Sequence, residues 1–111
     1  MSTITTHILD TALGKPASGV HLVLEQKGSQ GWSAVASGCT DGDGRVKNLT
    51  PEPLTAGQYR LIADIGDYFA ASGRDALYVS AQIDFRLPET ASHYHLPFLI
   101  SPWSWSTYRG S

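Results

Sequence analysis

The sequence predicts an all-β fold, a two-sheet β-sandwich of seven to eight short strands with one short helix. Three observations predict it. Apolar and polar residues alternate with a period of two through most of the chain, the mark of half-buried strands. Turn residues punctuate that alternation at short intervals, most strongly at Asp41-Gly42-Asp43-Gly44, where Gly accepts positive φ and Asp bonds its own backbone. Helical periodicity is nearly absent, and many short strands with regular turns are what a sandwich requires.

Taken in order, Ile4 to Asp10 reads as a first strand, closed by a turn around Gly14-Lys15-Pro16. In Val20 to Lys27, Val20, Leu22 and Leu24 share one face and His21, Val23 and Glu25 the other. Trp32 to Ser37 is a third strand, and Arg45 to Leu49 a short one directly after the Asp-Gly turn. Gln58 to Ile65 places Tyr59, Leu61, Ala63 and Ile65 on the core face. The short helix is expected within Gly66 to Gly73. Ala76 to Leu87 reads as a long strand ended by Pro88, and His93 to Ile100 and Trp105 to Tyr108 as the last two, separated by Ser101-Pro102.

The 111 residues fit one domain, with hydrophobic residues at 41% and charged residues at 16%. A chain this small leaves much surface exposed, so oligomerisation is a natural way to bury more. The formal net charge of -2 and the lack of a basic run argue against a phosphate-driven nucleic-acid binder. Cys39 is the only cysteine, which excludes an internal disulfide and a Cys-pair metal site, and its place beside a turn suggests a small filler residue. The N-terminus has neither the basic start nor the apolar stretch of a secretory signal, and no apolar run approaches the roughly 20 residues of a membrane span. A cytoplasmic protein is expected.

Few residues here can do chemistry, so their placement is informative. His93 and His95 share parity with Pro97 and Leu99, and by default form a pair of solvent-facing histidines. Pro97 removes a ladder donor and favours a strand edge or a bulge. His7 shares parity with Leu9, and alone reads as structural or exposed. Arg45, at the mouth of the turn, is by default a solvated charge. The Asp41–Gly44 cluster lacks the downstream bidentate Glu of a calcium loop. The C-terminal stretch is less ordinary: Trp103, Trp105 and Tyr108 precede Arg109-Gly110-Ser111, although chain ends are usually polar and frayed. An aromatic tail of this kind is expected to be packed, in the core or against another subunit, either as a stabilising strand or as part of a binding site.

These blocks together resemble the transthyretin-related family and, within it, the 5-hydroxyisourate hydrolases of purine catabolism. The resemblance covers nearly the whole chain: Thr6-His7-Ile8-Leu9-Asp10-Thr11 with Gly14-Lys15-Pro16-Ala17, then Thr40 to Arg45, then Tyr68-Phe69, then His93 to Pro102 running into Ser106-Thr107-Tyr108-Arg109-Gly110-Ser111. The Tyr-Arg-Gly-Ser ending separates the hydrolases from true transthyretins, which lack it and the histidines. Trp103 and Trp105 stand where many relatives have tyrosine, and Phe98 and Ile100 where leucine is common. The resemblance implies a transthyretin-like sandwich assembled as a homotetramer, a dimer of dimers with sites along the channel between dimers. It carries the catalytic positions to His7, Arg45 and His95, and substrate binding to Tyr108, Arg109, Gly110 and Ser111.

The implied reaction opens a ring amide of 5-hydroxyisourate, the unstable product of urate oxidation, to a carboxylated ureidoimidazoline. It needs an activated water, for which histidine has a suitable pKa, and a planar fork for substrate oxygens, which arginine supplies. The resemblance implies no cofactor and no metal. Three other readings stay open on residues alone: a zinc hydrolase using His7, His93 and His95, a carrier holding an aromatic ligand in the interface channel, and a scaffolding subunit.

Overall fold

The computed structural model describes residues 1–110; Ser111 lies outside the described residues. The strands are β1 Thr3–Thr5, β2 Ile8–Asp10, β3 Lys15–Pro16, β4 His21–Gly28, β5 Gly31–Cys39, β6 Gly57–Ala63, β7 Ala81–Leu87, β8 His93–His95, β9 Phe98–Ser101 and β10 Ser104–Thr107. One helix, α1, spans Ile65–Ala71. One four-stranded sheet has the order β5-β4-β6-β7, the other β10-β9-β2-β3, and β1 pairs with β8 as a two-stranded parallel piece.

Alternation builds the core as expected. Val20, Leu22 and Leu24 are buried, as are Tyr59, Leu61 and Ala63, while His21 is exposed. Ile8, Phe98 and Ile100 meet them from the other sheet, and Trp105 packs on Phe98 with ring centroids 6.1 Å apart. Helix α1 buries Ile65 and Phe69, one turn apart, and the Asp64 carboxylate accepts the Asp67 amide at its start.

Five strand assignments depart from the sequence reading, each for a backbone reason. The first strand breaks at Thr6-His7 and the His93 strand at Leu96-Pro97, because both cross together from one sheet to the next. The buried Thr6 hydroxyl donates to the Leu96 carbonyl at 2.7 Å, and the Leu96 and Phe98 amides donate to Thr5 and His7 carbonyls. Pro97 therefore sits buried at the crossing, where no ladder donor is needed, and not at an edge. Arg45 to Leu49 form no strand; a single bridge joins Arg45 to His7, and Asn48 at φ 54° turns the chain away. Residues 76–80 are also outside a strand. The Val79 carbonyl accepts the Gly66 amide and the Leu77 amide donates to Pro102, so this stretch closes the helix start and the β9–β10 turn. Lys15–Pro16, read as a turn, forms the short edge strand beside β2.

One further expectation changes. Cys39 is exposed, not a filler, and its sulfur lies 3.2 Å from His21 Nδ1 across the β4–β5 register. The C-terminal aromatics are only partly packed: Trp105 is, but Trp103 is 64% and Tyr108 55% exposed on this chain.

Asp10, at the end of β2, is fully buried and carries a charge network. Its carboxylate accepts from Arg74 Nη2 at 2.6 Å, from the Tyr68 hydroxyl at 2.8 Å, and from the amides of Ala12 and Leu13. Burial works against its ionisation, but the bonds from Arg74, Tyr68 and Leu13 together hold its pKa below the usual 3.8. Removing one partner of a buried pair strands the other's charge, so Asp10→Asn is expected to lower unfolding stability by about 3 kcal/mol at neutral pH in urea titrations. Because the folded pKa is depressed, this contribution is complete above 3.8 and lost as pH falls through the lower folded value. The gap between wild type and Asp10→Asn should narrow there.

Candidate active site

The site is assembled where the two crossing strands change sheets. His7 is the residue between β1 and β2; its carbonyl accepts the Phe98 amide at 2.9 Å. It is half-buried and shares parity with Leu9, which lies beside Leu99, itself opposite Ser106. That row is the outer face of the sheet, away from the core.

Arg45 reaches His7 because of the Asp-Gly turn. The Asp41 carboxylate accepts the amides of Asp43 at 2.9 Å and Arg45 at 3.1 Å, and the Asp41 amide donates to the Arg45 carbonyl. These bonds, the one from Arg45 first, hold Asp41 below the usual carboxylate range. Gly44 turns with φ +77°, and a Cβ there would run into the Ile8 carbonyl, so only glycine lets the turn dock on β2. Its own carbonyl accepts the Ile8 amide at 2.8 Å. The loop that faintly suggested calcium is thus a clamp that sets Arg45 opposite His7.

His95 closes the group from β8. Its Nδ1 lies 2.8 Å from the Thr5 hydroxyl, its carbonyl accepts the Gly110 amide at 2.7 Å, and it is half-buried. A Cβ on Gly110 would lie 2.8 Å from His95 Cδ2, so glycine is what allows the tail to lie against the ring. Burial lowers the His95 pKa from 6.5, and the positive charges of Arg45, His7 and His93 lower it further. His95 is therefore a neutral imidazole at neutral pH, in an electrostatic field that links it to both other residues.

The expected site residues do not all arrive together. His7, Arg45, His95 and Gly110 share one neighbourhood. Arg109 lies with its guanidinium 4.6 Å above the Tyr94 ring, a residue that alternates away from His93 and His95. Tyr108 is exposed, and Ser111 lies outside the described residues. Among the described residues no group of three His, Cys, Asp or Glu side chains has the geometry to hold a metal. His93 instead has both ring nitrogens against hydroxyls, Nδ1 at 2.7 Å from Thr3 and Nε2 at 3.1 Å from Thr5. Thr5 is the residue that the sequence reading missed. Cavities of 330, 350 and 400 Å³ lie elsewhere on the chain, and His7, Arg45 and His95 line none of them.

Residues 4–110 match the model of the HIUase/Transthyretin family. The chain belongs to this family. It is 46% identical to the 5-hydroxyisourate hydrolase of Salmonella typhi over 109 residues, 97% of this chain and 80% of that protein. The solved 5-hydroxyisourate hydrolase of Klebsiella pneumoniae superposes with a TM-score of 0.90 at 46% identity, covering 100% of this chain and 94% of that one. Sea bream transthyretin in complex with thyroxine superposes with a TM-score of 0.91 at 34% identity, covering 96% and 93%. The transthyretin-like sandwich expected from the sequence is therefore the fold of this family member, with its strands redistributed as described.

Because Arg45 contributes to the depression at His95, Arg45→Gln should raise the His95 pKa toward 6.5, with the remaining burial keeping it below. Ring-proton chemical shifts followed through a pH titration read this directly. An unmoved midpoint would show that Arg45 does not act on this imidazole.

Proposed function

We propose that this protein hydrolyses 5-hydroxyisourate in urate catabolism, and that His7, Arg45 and His95 carry the reaction. The observation that supports it most is the meeting of a neutral half-buried imidazole with two basic side chains beside the Gly110 tail, on the fold of relatives named for this activity. His95, neutral at working pH, takes a proton from the attacking water, and His7 orients that water. Arg45 receives substrate oxygens in its planar fork and stabilises the charge that develops as the ring amide opens. The family resemblance assigns substrate binding to Tyr108, Arg109, Gly110 and Ser111; of these, Gly110 lies against His95, while Arg109 is held over Tyr94. The protein needs no cofactor in this mechanism.

Exposed apolar surface supports a second part of the proposal, a homotetramer built as a dimer of dimers. Exposed Trp103 and Tyr108, with the outer row of Leu9 and Leu99, are apolar surface that a second copy would cover while enclosing the site. Work in the cytoplasm belongs to the same proposal.

A carrier reading draws support from the likeness to sea bream transthyretin bound to thyroxine. A carrier channel has no use for a neutral histidine beside an arginine, and the two readings separate by experiment. Urate oxidase acting on urate generates 5-hydroxyisourate, whose ultraviolet decay is followed with and without the protein. Decay well above the spontaneous rate is expected, and His95→Ala should slow it by about 100-fold or more. Since His95 is depressed, kcat/KM should hold as pH is lowered to 6.5 and fall only below it. Decay at the buffer rate would put the carrier first. Removing residues 108–111 should abolish turnover, whereas a carrier would keep its ligand affinity.

A further inference from the structure

Parallel pairing of β1 with β8 is in register, Thr3 opposite His93 and Thr5 opposite His95, so four polar side chains share one face while Ile4 and Tyr94 take the other. They are joined in a continuous line. Thr3 Oγ1 lies 2.7 Å from His93 Nδ1, His93 Nε2 lies 3.1 Å from Thr5 Oγ1, and Thr5 Oγ1 lies 2.8 Å from His95 Nδ1. Hydroxyl and imidazole alternate, and each can donate and accept at once. His95 is half-buried and His93 exposed, so the line runs from the site to solvent.

We propose that Thr5 and His93 form a proton relay that empties His95 during the hydrolysis assigned above. The need for one comes from the reaction, on which this inference rests: opening a cyclic amide to a carboxylate and a non-basic ureido nitrogen liberates one proton per turnover. At the start His95 carries its proton on Nδ1, donated to Thr5, and Thr5 donates to His93 Nε2. Water gives a proton to His95 Nε2 as its oxygen bonds the carbonyl carbon. The Nδ1 proton passes to Thr5 Oγ1, and the Thr5 proton passes to His93 Nε2. His95 stays neutral, with its proton moved to Nε2, and His93 becomes an imidazolium that loses its charge to bulk water. As the adduct collapses the C–N bond breaks, the Nε2 proton goes to the leaving nitrogen, and the new carboxyl group gives its proton to Nε2 and becomes the carboxylate. The groups acting on His95 are Arg45, His7 and His93, all basic, and with burial they disfavour a positive charge held at His95. An exposed histidine is the better place for it. Thr5 touches no reacting atom in this scheme and is a positioning and relay residue.

Thr5→Val keeps the β-branched shape and removes the hydroxyl. It should lower kcat at least about tenfold in dilute buffer with KM little changed, and Thr5→Ser should restore most of the rate. His93→Gln should lose rate in dilute buffer and regain it as imidazole is added, since a soluble base then collects the proton. Both variants turning over at the wild-type rate in dilute buffer would overturn the relay. So would a loss that neither serine nor imidazole repairs, which marks a structural role. A second readout needs no turnover: His93→Gln and Thr5→Val should each shift the His95 ring-nitrogen resonances between tautomers, and unchanged resonances would break the line. Wild type with no activity and coupled resonances would instead sink the substrate assignment, and with it the relay's role in that reaction, while leaving the hydrogen-bonded line itself in place.

Discussion

The parallel docking of the N-terminal strand along the strand that begins at His93 is the constraint on which the rest of this molecule depends. Some 90 residues separate the two, and they run together through two sheets. Where they cross, backbone donors and acceptors must still be matched away from water. Thr6 solves half of this with its buried hydroxyl on the Leu96 carbonyl, and Pro97 the other half by having no donor to satisfy. A crossing of this kind exposes side chains that a continuous ladder would hold in rows. His7 sits at the crossing, and His95 ends β8 beside it.

Their surroundings are built to keep charge off one imidazole. Arg45, His7 and His93 all act on His95 with the same sign, and its partial burial adds to them. Such a cluster is stable only if something else is anionic when it works, such as a developing oxyanion or a bound anionic ligand. The structural carboxylate nearby in sequence, Asp10, is committed elsewhere, to Arg74 and Tyr68 on the core side of β2. One strand thus carries a buried ion pair on one face, which ties α1 to the sheet, and a catalytic proposal on the other.

How much of this was legible in advance can be argued residue by residue. The core faces of β4 and β6 follow from period two alone, because burial on one side of a pleat leaves that trace in Val20, Leu22, Leu24, Tyr59, Leu61 and Ala63. The short helix was expected within Gly66 to Gly73; Ile65, read as the end of the preceding strand, is in fact its first residue and is buried with Phe69 a turn later. Strand ends were less legible, since they depend on which distant carbonyl takes each amide, as at Leu77 and Gly66. His7, Arg45, His95 and the tail were found through a family resemblance; as isolated residues each had an ordinary explanation. Thr5 carried no signal beyond its parity.

The sequence by itself determined the alternation that makes sheets, the glycines that permit the Asp41–Gly44 turn and the approach of Gly110 to His95, and the residue types available for acid–base work. Only the tertiary structure decided which of those residues meet. Parallel register set Thr5 against His95 and His93, a docked turn set Arg45 against His7, and Arg109 went to Tyr94. The reason is physical: a side chain's parity is local and written every two residues, but its partner is chosen by a strand pairing whose hydrogen bonds any sequence of backbone can make.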